Sequence, residues 1–268
     1  MSGRLQQALN QIGRLPGVLQ WRKSRFDKMF EAGDACCCRG LFETHAQAAA
    51  AAPKTLPLGY DNTDAAGMYR DRLNRIYPSD YAMMLWLQKA FDDGVRDVFD
   101  LGGHVGLAYY AYQRMLAFPS DISWRVHDVP AVLAAGQQEA LERDPARRLT
   151  FTDNFETAAD ADMLFTAGCL QYLEQTLAER IAGLRRCPRW LLVNLLPLDE
   201  QSAYWTVQSI GTAYCPYRIQ HAQTFFSDLE RLGYRVHDKW ENLEKDCWVA
   251  FEPEHSLDRY YGAALKLE

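Results

Sequence analysis

The chain has 268 residues, 48% of them apolar, which suits one large domain with an extension better than two full domains. Its net charge of -6, from 29 basic and 35 acidic side chains, offers none of the global positive field on which nucleic-acid binding rests, so no nucleic-acid partner is expected. No apolar run approaches the roughly 20 residues that cross a bilayer, and no signal-peptide core opens the chain, so the expectation is a cytoplasmic protein without a membrane span. Seven cysteines form no regular pairs, and Cys36, Cys37 and Cys38 stand too close together to ligate one metal; they read as reduced thiols, with no metal site.

From the amino terminus to about residue 30, Arg4, Arg14, Arg22, Lys23, Arg25 and Lys28 alternate with Leu5, Leu9, Ile12, Leu15, Val18, Leu19, Phe26 and Phe30. This predicts a basic amphipathic helical arm, broken at Pro16-Gly17, that packs on the core or on a second subunit to make a homodimer, with an anionic membrane surface or another partner as the competing reading. The alanine run Ala46 to Ala52 ends at Pro53, and Pro57, Gly59 and Asp61-Asn62 follow as turn signals. Residues 1–58 are therefore read as a helical arm and linker, and residues 59–268 as the main domain. Ser79 is placed to cap a helix running to about Phe91, with Gly94 stopping it.

Strand-like and helix-like segments then alternate. Strands are expected at Val95 to Leu101, Trp124 to Asp128, Leu149 to Thr152, Asp162 to Thr166, Trp190 to Leu195 and Tyr234 to Trp240. Helices are expected at Gly106 to Leu116, Val132 to Arg143, Leu177 to Arg186 and Thr224 to Leu232. Such alternation predicts right-handed crossovers and an α/β fold with a doubly wound, mostly parallel sheet covered on both faces. Trp248 to Phe251 and Tyr260 to Leu267 are strand-like with no helix before them, which implies an antiparallel carboxyl-terminal hairpin at the sheet edge.

The chemistry-bearing residues fall at the carboxyl ends of these strands, where open α/β sheets bind ligands. In VFDLGGHVG, Asp100 ends the first strand and Gly102, Gly103, His104 and Gly106 lead into a helix, so the backbone can turn sharply and approach a ligand closely. Asp128, about 20 residues beyond, suits a ribose diol. Asp153 and Asn154 end the third strand, where they face an adenine edge, and Ala167-Gly168 end the fourth, where small residues admit ligand. The glycine loop is GGxxG rather than the GxGxxG of dinucleotide-binding oxidoreductases, which leaves an NAD enzyme as the competing reading, with a non-catalytic binding subunit as a second.

At VFDLGGHVGLAYY, WRVHDVP, DMLFTAGCLQYLE, WLLVNLLP and TVQSIGTAYCPYRI, the chain resembles class I S-adenosylmethionine-dependent methyltransferases. Within that class it is similar to a family associated with bacterial surface-polysaccharide gene clusters. The resemblance covers roughly residues 59 to 267. It implies a seven-stranded Rossmann-like sheet, S-adenosyl-L-methionine as cofactor, and methyl transfer to a saccharide or other small-molecule acceptor. It carries cofactor binding onto Asp100, Gly102, Gly103, His104, Gly106, Asp128, Asp153, Asn154, Ala167 and Gly168. Two departures stand out, His104 where glycine is usual and Asp128 where the family more often has glutamate. The aromatic segment from Tyr204 to Tyr217 is expected to wall the acceptor site, His221 is the candidate general base, and Tyr60 and Tyr69 are lid candidates.

Overall fold

The computed structural model describes residues 16–34, 36–61 and 70–268. The first half of the basic arm and Tyr69 lie outside the described residues.

The main sheet has seven strands. In chain order they are β2 (Asp97–Leu101), β3 (Ser123–His127), β4 (Leu149–Thr152), β5 (Met163–Ala167), β6 (Trp190–Leu196), β10 (Tyr234–Asn242) and β11 (Tyr260–Leu267). Their order across the sheet is β10-β11-β6-β5-β2-β3-β4. The strands from β4 to β6 are parallel, whereas β11 runs antiparallel between β6 and β10. This is the mostly parallel sheet with a terminal antiparallel hairpin that the segment pattern predicts. Strands buried on both faces carry near-continuous apolar sequence, and β6, WLLVNLL, is buried along its whole length.

Alternating side chains of the sheet feed two separate cores. On one face Val98, Trp124, Met163, Phe165 and Leu192 pack with Leu87 and Phe91 of α3 (Asp80–Asp92) and Tyr109 of α4 (Leu107–Tyr112). On the other, Phe99, Leu101, Leu164 and Val193 meet Leu177 and Ile181 of α6 (Leu177–Ala182) and Phe225 and Leu229 of α7 (Ala222–Arg231). A further helix, α5 (Pro130–Arg143), lies over β4, and its Gly136 has no room for a Cβ because Phe151 stands 2.3 Å from where one would be.

A second sheet of four strands has the order β1-β8-β9-β7, formed by β1 (Cys38–Phe42), β7 (Leu198–Asp199), β8 (Tyr204–Ser209) and β9 (Tyr214–His221). The aromatic segment is thus a hairpin of paired strands rather than an open loop. Two helices of the amino-terminal region adjoin it. Phe30 of α1 (Pro16–Glu31) is fully buried and its carbonyl accepts the Tyr214 hydroxyl, while Ala48 of α2 (His45–Ala51) is buried beside Trp205 and Val207. The alanine run read as linker is this second helix, capped by the Thr44 side chain.

Other local expectations are also corrected. Ser79 makes no side-chain cap; Asp80 accepts the Tyr77 backbone N–H instead, and the Ser79 carbonyl accepts from Asn194 Nδ2. The helices expected to reach Leu116 and Arg186 end earlier, at Tyr112 and Ala182. Trp248 to Phe251 is not a strand: only Val249 pairs, in a single parallel bridge to Cys38. No helix among the described residues is long and apolar enough to cross a membrane.

Candidate functional site

The carboxyl end of β2 delivers Asp100 to the face shared with α4. The residue is 1% exposed, and Trp124 Nε1 donates to its Oδ2 at 3.0 Å. Burial pushes its carboxyl up to about 7, against the Trp124 hydrogen bond and with the Asp128 charge adding to the rise. Gly103 lies directly against this carboxyl group: a Cβ there would stand 2.4 Å from Asp100 Oδ2. Gly102 has φ +74°, and a Cβ would meet the Cys169 Cβ at 2.3 Å. Both glycines are therefore demanded by the protein's own packing, through a turn that also bonds the Gly102 N–H to the His127 carbonyl.

Asp128, just past β3, accepts the backbone N–H of His104 on Oδ2 at 2.9 Å and of Val129 on Oδ1 at 2.8 Å. Burial raises its pKa and the two backbone bonds oppose the rise. A carboxylate with two such bonds keeps lone pairs for further donors. His104 has φ +55° and is 7% exposed; its backbone N–H reaches Asp128. His127 is also turned inward, with Nδ1 3.1 Å from the Thr152 carbonyl and its ring stacked on Phe99, and burial lowers its pKa.

After β4, Asp153 is exposed and the Asn154 side chain accepts from the Glu156 N–H, capping a short 3-10 helix, Phe155–Asp160. After β5, Gly168 adopts φ +77° and bonds its N–H to the Asn194 carbonyl and its own carbonyl to Gln171 Nε2. Gly106, at φ +90°, precedes α4.

A cleft of about 520 Å³ opens at these strand ends, lined by Asp100, Gly102, Gly103, Tyr112, Phe165, Ala167 and Leu195, with Arg72, Arg75 and Asp80 at its other side. The cleft thus gathers four of the ten residues expected to hold a cofactor. Asp128, Asp153, Asn154 and Gly168 stand at neighbouring strand ends outside this lining, and His104 and Gly106 act within the loop. The guanidinium carbons of both arginines lie over the Tyr77 ring, 4.7 and 4.8 Å from its centroid. They were not singled out in the sequence; the only signal is the cationic spacing of RDRLNR, in a 3-10 turn (Arg70–Asn74) that packs on α4.

No family model matches the sequence, and neither does any curated protein. The backbone, however, is similar to that of a candidate sarcosine dimethylglycine methyltransferase from Galdieria sulphuraria. That likeness has a TM-score of 0.50 at 12% identity over 76% of this chain and 98% of the other. It is also similar to the N-terminal domain of EvdMO1, crystallised with S-adenosylhomocysteine and D-fucose, with a TM-score of 0.50 at 12% identity over 72% of this chain and 85% of the other. The fold is the Rossmann-like methyltransferase fold. Identities this low establish the path of the chain and leave each side chain in the cleft to be argued from its own chemistry.

His221 falls elsewhere within this methyltransferase fold. It ends β9, its Nδ1 lies 2.8 Å from Thr224 Oγ1, and it lines a separate recess of about 400 Å³ with Thr176, Arg218 and Asp228. None of the residues in that recess lines the cleft at Asp100. Tyr60 donates to the Tyr172 hydroxyl at 3.1 Å, and Tyr172 donates to Gln208 on β8, so this lid candidate sits where the two sheets meet.

Proposed function

We propose that the chain is an S-adenosylmethionine-dependent methyltransferase that methylates a hydroxyl of a sugar or another small molecule. One observation carries the reading: a buried carboxyl group, the glycine loop against it and two arginines line one cleft at the carboxyl end of a parallel strand. The amino-acid part of the cofactor is zwitterionic, so it needs an anion for its ammonium and a cation for its carboxylate. Asp100 meets the first need, and Arg72 and Arg75 the second. The remaining lone pairs of Asp128 suit the ribose diol, Asp153 and Asn154 suit the adenine edge, and Ala167 with Gly168 leave room beside the sulfur.

When bound, S-adenosylmethionine supplies a methyl group on a positively charged sulfur, whose bond to carbon breaks as the acceptor oxygen takes the methyl. The chain's own residues contribute position and exclusion of water. Phe165, Leu195 and Ala111 give the cleft apolar walls, in which the Asp100 and arginine contacts act more strongly than in water. An alcohol must also lose a proton; the base expected from the sequence, His221, lines a separate recess and serves only if the second sheet moves on acceptor binding.

Thermal unfolding with S-adenosylhomocysteine and with NAD separates the competing readings. A ligand at about 100 times its Kd adds roughly 2.7 kcal/mol to stability, so the expected outcome is a clear rise in Tm with S-adenosylhomocysteine and none with NAD. The reverse pattern overturns the proposal. Binding without methyl transfer to any of a panel of hydroxylated acceptors points instead to a binding subunit.

A further inference from the structure

Two cysteines far apart in the sequence meet at the junction of the two sheets. The Cys38 and Cys247 sulfurs lie 3.5 Å apart, and the residues are 2% and 4% exposed. The backbone sets them side by side: Cys38 donates to the Trp248 carbonyl at 3.1 Å and its own carbonyl accepts from Ala250 at 2.9 Å, while Cys247 exchanges two bonds of 2.9 Å with Leu257. The surrounding cluster contains Tyr217, Val249 and Tyr260, together with Leu195 from the wall of the cleft. Although Cys38 is enclosed, Cys247 borders an open recess of about 840 Å³ that it shares with Leu243, Asp246, Trp248 and Leu257. Of the pair, Cys247 is therefore the member that borders open space.

We infer that Cys38 and Cys247 form a reversible disulfide that ties β1, the first strand of the second sheet, to the segment between β10 and β11. The two thiols are unequal, as such exchange requires. The hydrogen bond from Cys38 holds the Cys247 thiol below its usual range, with Tyr260 assisting and burial opposing, while the same contact pushes Cys38 up. Cys247 is thus the attacking sulfur. Its thiolate displaces one thiol from a low-molecular-weight disulfide and forms a mixed disulfide. Cys38 then gives up its proton and attacks the Cys247 sulfur, releasing the second thiol. Two electrons pass from the cysteine pair to the reagent, which leaves as two thiols. Glu244, Asp246 and Asp258 line the recess, so a neutral or cationic disulfide enters more readily than an anionic one.

The test reads thiols and stability, and does not depend on methyl transfer. The full chain is treated with the neutral reagent 2-hydroxyethyl disulfide, alkylated in denaturant, digested and mapped by mass spectrometry. Cys38 and Cys247 should be recovered as a cross-link, and the other five of the seven cysteines as alkylated thiols or single reagent adducts. A bond closing so long a loop should also raise Tm by several degrees, reversibly with dithiothreitol. Cys38→Ala and Cys247→Ala should each lose both effects. Alkylation of all seven thiols in the treated protein, or cross-links confined to other cysteines such as Cys36 and Cys37, overturns the assignment, and a Cys38–Cys247 cross-link without a rise in Tm overturns the tying role.

Discussion

In the seven-stranded sheet each parallel strand and the helix that covers it are neighbours in sequence, whereas the four-stranded sheet joins residues 38–42 to residues 198–221. The first arrangement writes its geometry locally. A parallel strand must end in a turn that starts a helix, and that turn carries the glycine and acid that also shape a cleft. The second arrangement depends on pairings that no local pattern announces. Cys38 faces Gln208 and Arg39 faces Val207 across the β1-β8 pair, and only their meeting in space reveals β1 as a strand. The cleft proposed to hold the cofactor belongs to the local part of the molecule; the candidate base and the cysteine pair belong to the non-local part.

The sharpest way to break this division is at the glycine loop. Gly102→Val places a branched side chain at φ +74° and drives its Cβ into Cys169, so it should abolish S-adenosylhomocysteine binding by calorimetry and lower Tm. The four-stranded sheet should remain paired, because nothing at Gly102 supports it. Retained binding in this variant would mean that the loop is structural punctuation only.

A smaller effect is expected at Asp128. Asp128→Ala removes a charge-assisted bond worth about 1.5 to 3 kcal/mol, which weakens binding by one to two decades. It also frees the His104 and Val129 N–H groups, so Asp128→Asn, which keeps an acceptor, is the necessary companion. If the ribose contact is what matters, both variants weaken binding. If Asp128 only holds the loop, Asp128→Asn should weaken binding in step with a fall in Tm, because its one amide oxygen accepts only one of the two N–H groups.

Smaller again is a pH effect from Asp100. Its folded pKa of about 7 lies above the roughly 3.9 of an unfolded aspartate, so the folded chain keeps a proton there that the unfolded chain releases. This group's contribution to stability is therefore full below about pH 4, is lost as pH rises toward 7, and is flat beyond. A ligand ammonium prefers the ionised form, so affinity for S-adenosylhomocysteine should fall by up to about tenfold for each pH unit below 7. Asp100→Asn should flatten both profiles. An unchanged pH dependence of binding would remove Asp100 from the ammonium contact.

The uneven legibility of the site has the same physical origin as the contrast between the sheets. Asp100, Gly102, Gly103 and Ala167 could be read because strand periodicity fixes where a strand ends, and the cleft lies there. Arg72 and Arg75 could not, because they come from a 3-10 turn and the residue just past it, whose place beside α4 is set by tertiary packing. Asn194 was hidden for another reason. It reads as one polar residue in an apolar strand, yet its Oδ1 accepts from Trp240 and Asn242 while its Nδ2 donates to Ser79. Such a hub is visible only when its three partners are assembled.

His221 gives the smallest expected effect and the most direct test of how the two sheets share the chemistry. The sequence makes it a candidate because it follows the fifth parallel strand, where an acceptor wall is expected. The intervening chain, however, folds into β7, β8 and β9, and this insertion carries the histidine into the recess with Thr176, Arg218 and Asp228. There its Nδ1 is engaged with Thr224 Oγ1 at the start of α7. His221→Ala should therefore lower Tm slightly and leave turnover per folded molecule and S-adenosylmethionine affinity nearly unchanged. A drop in kcat of roughly 100-fold or more with affinity intact would be the mark of a lost general base. It would mean that the second sheet moves on acceptor binding to bring the imidazole to the cleft. The unchanged result instead removes His221 from the proposed methyl transfer, which then rests on position and desolvation at the end of β2.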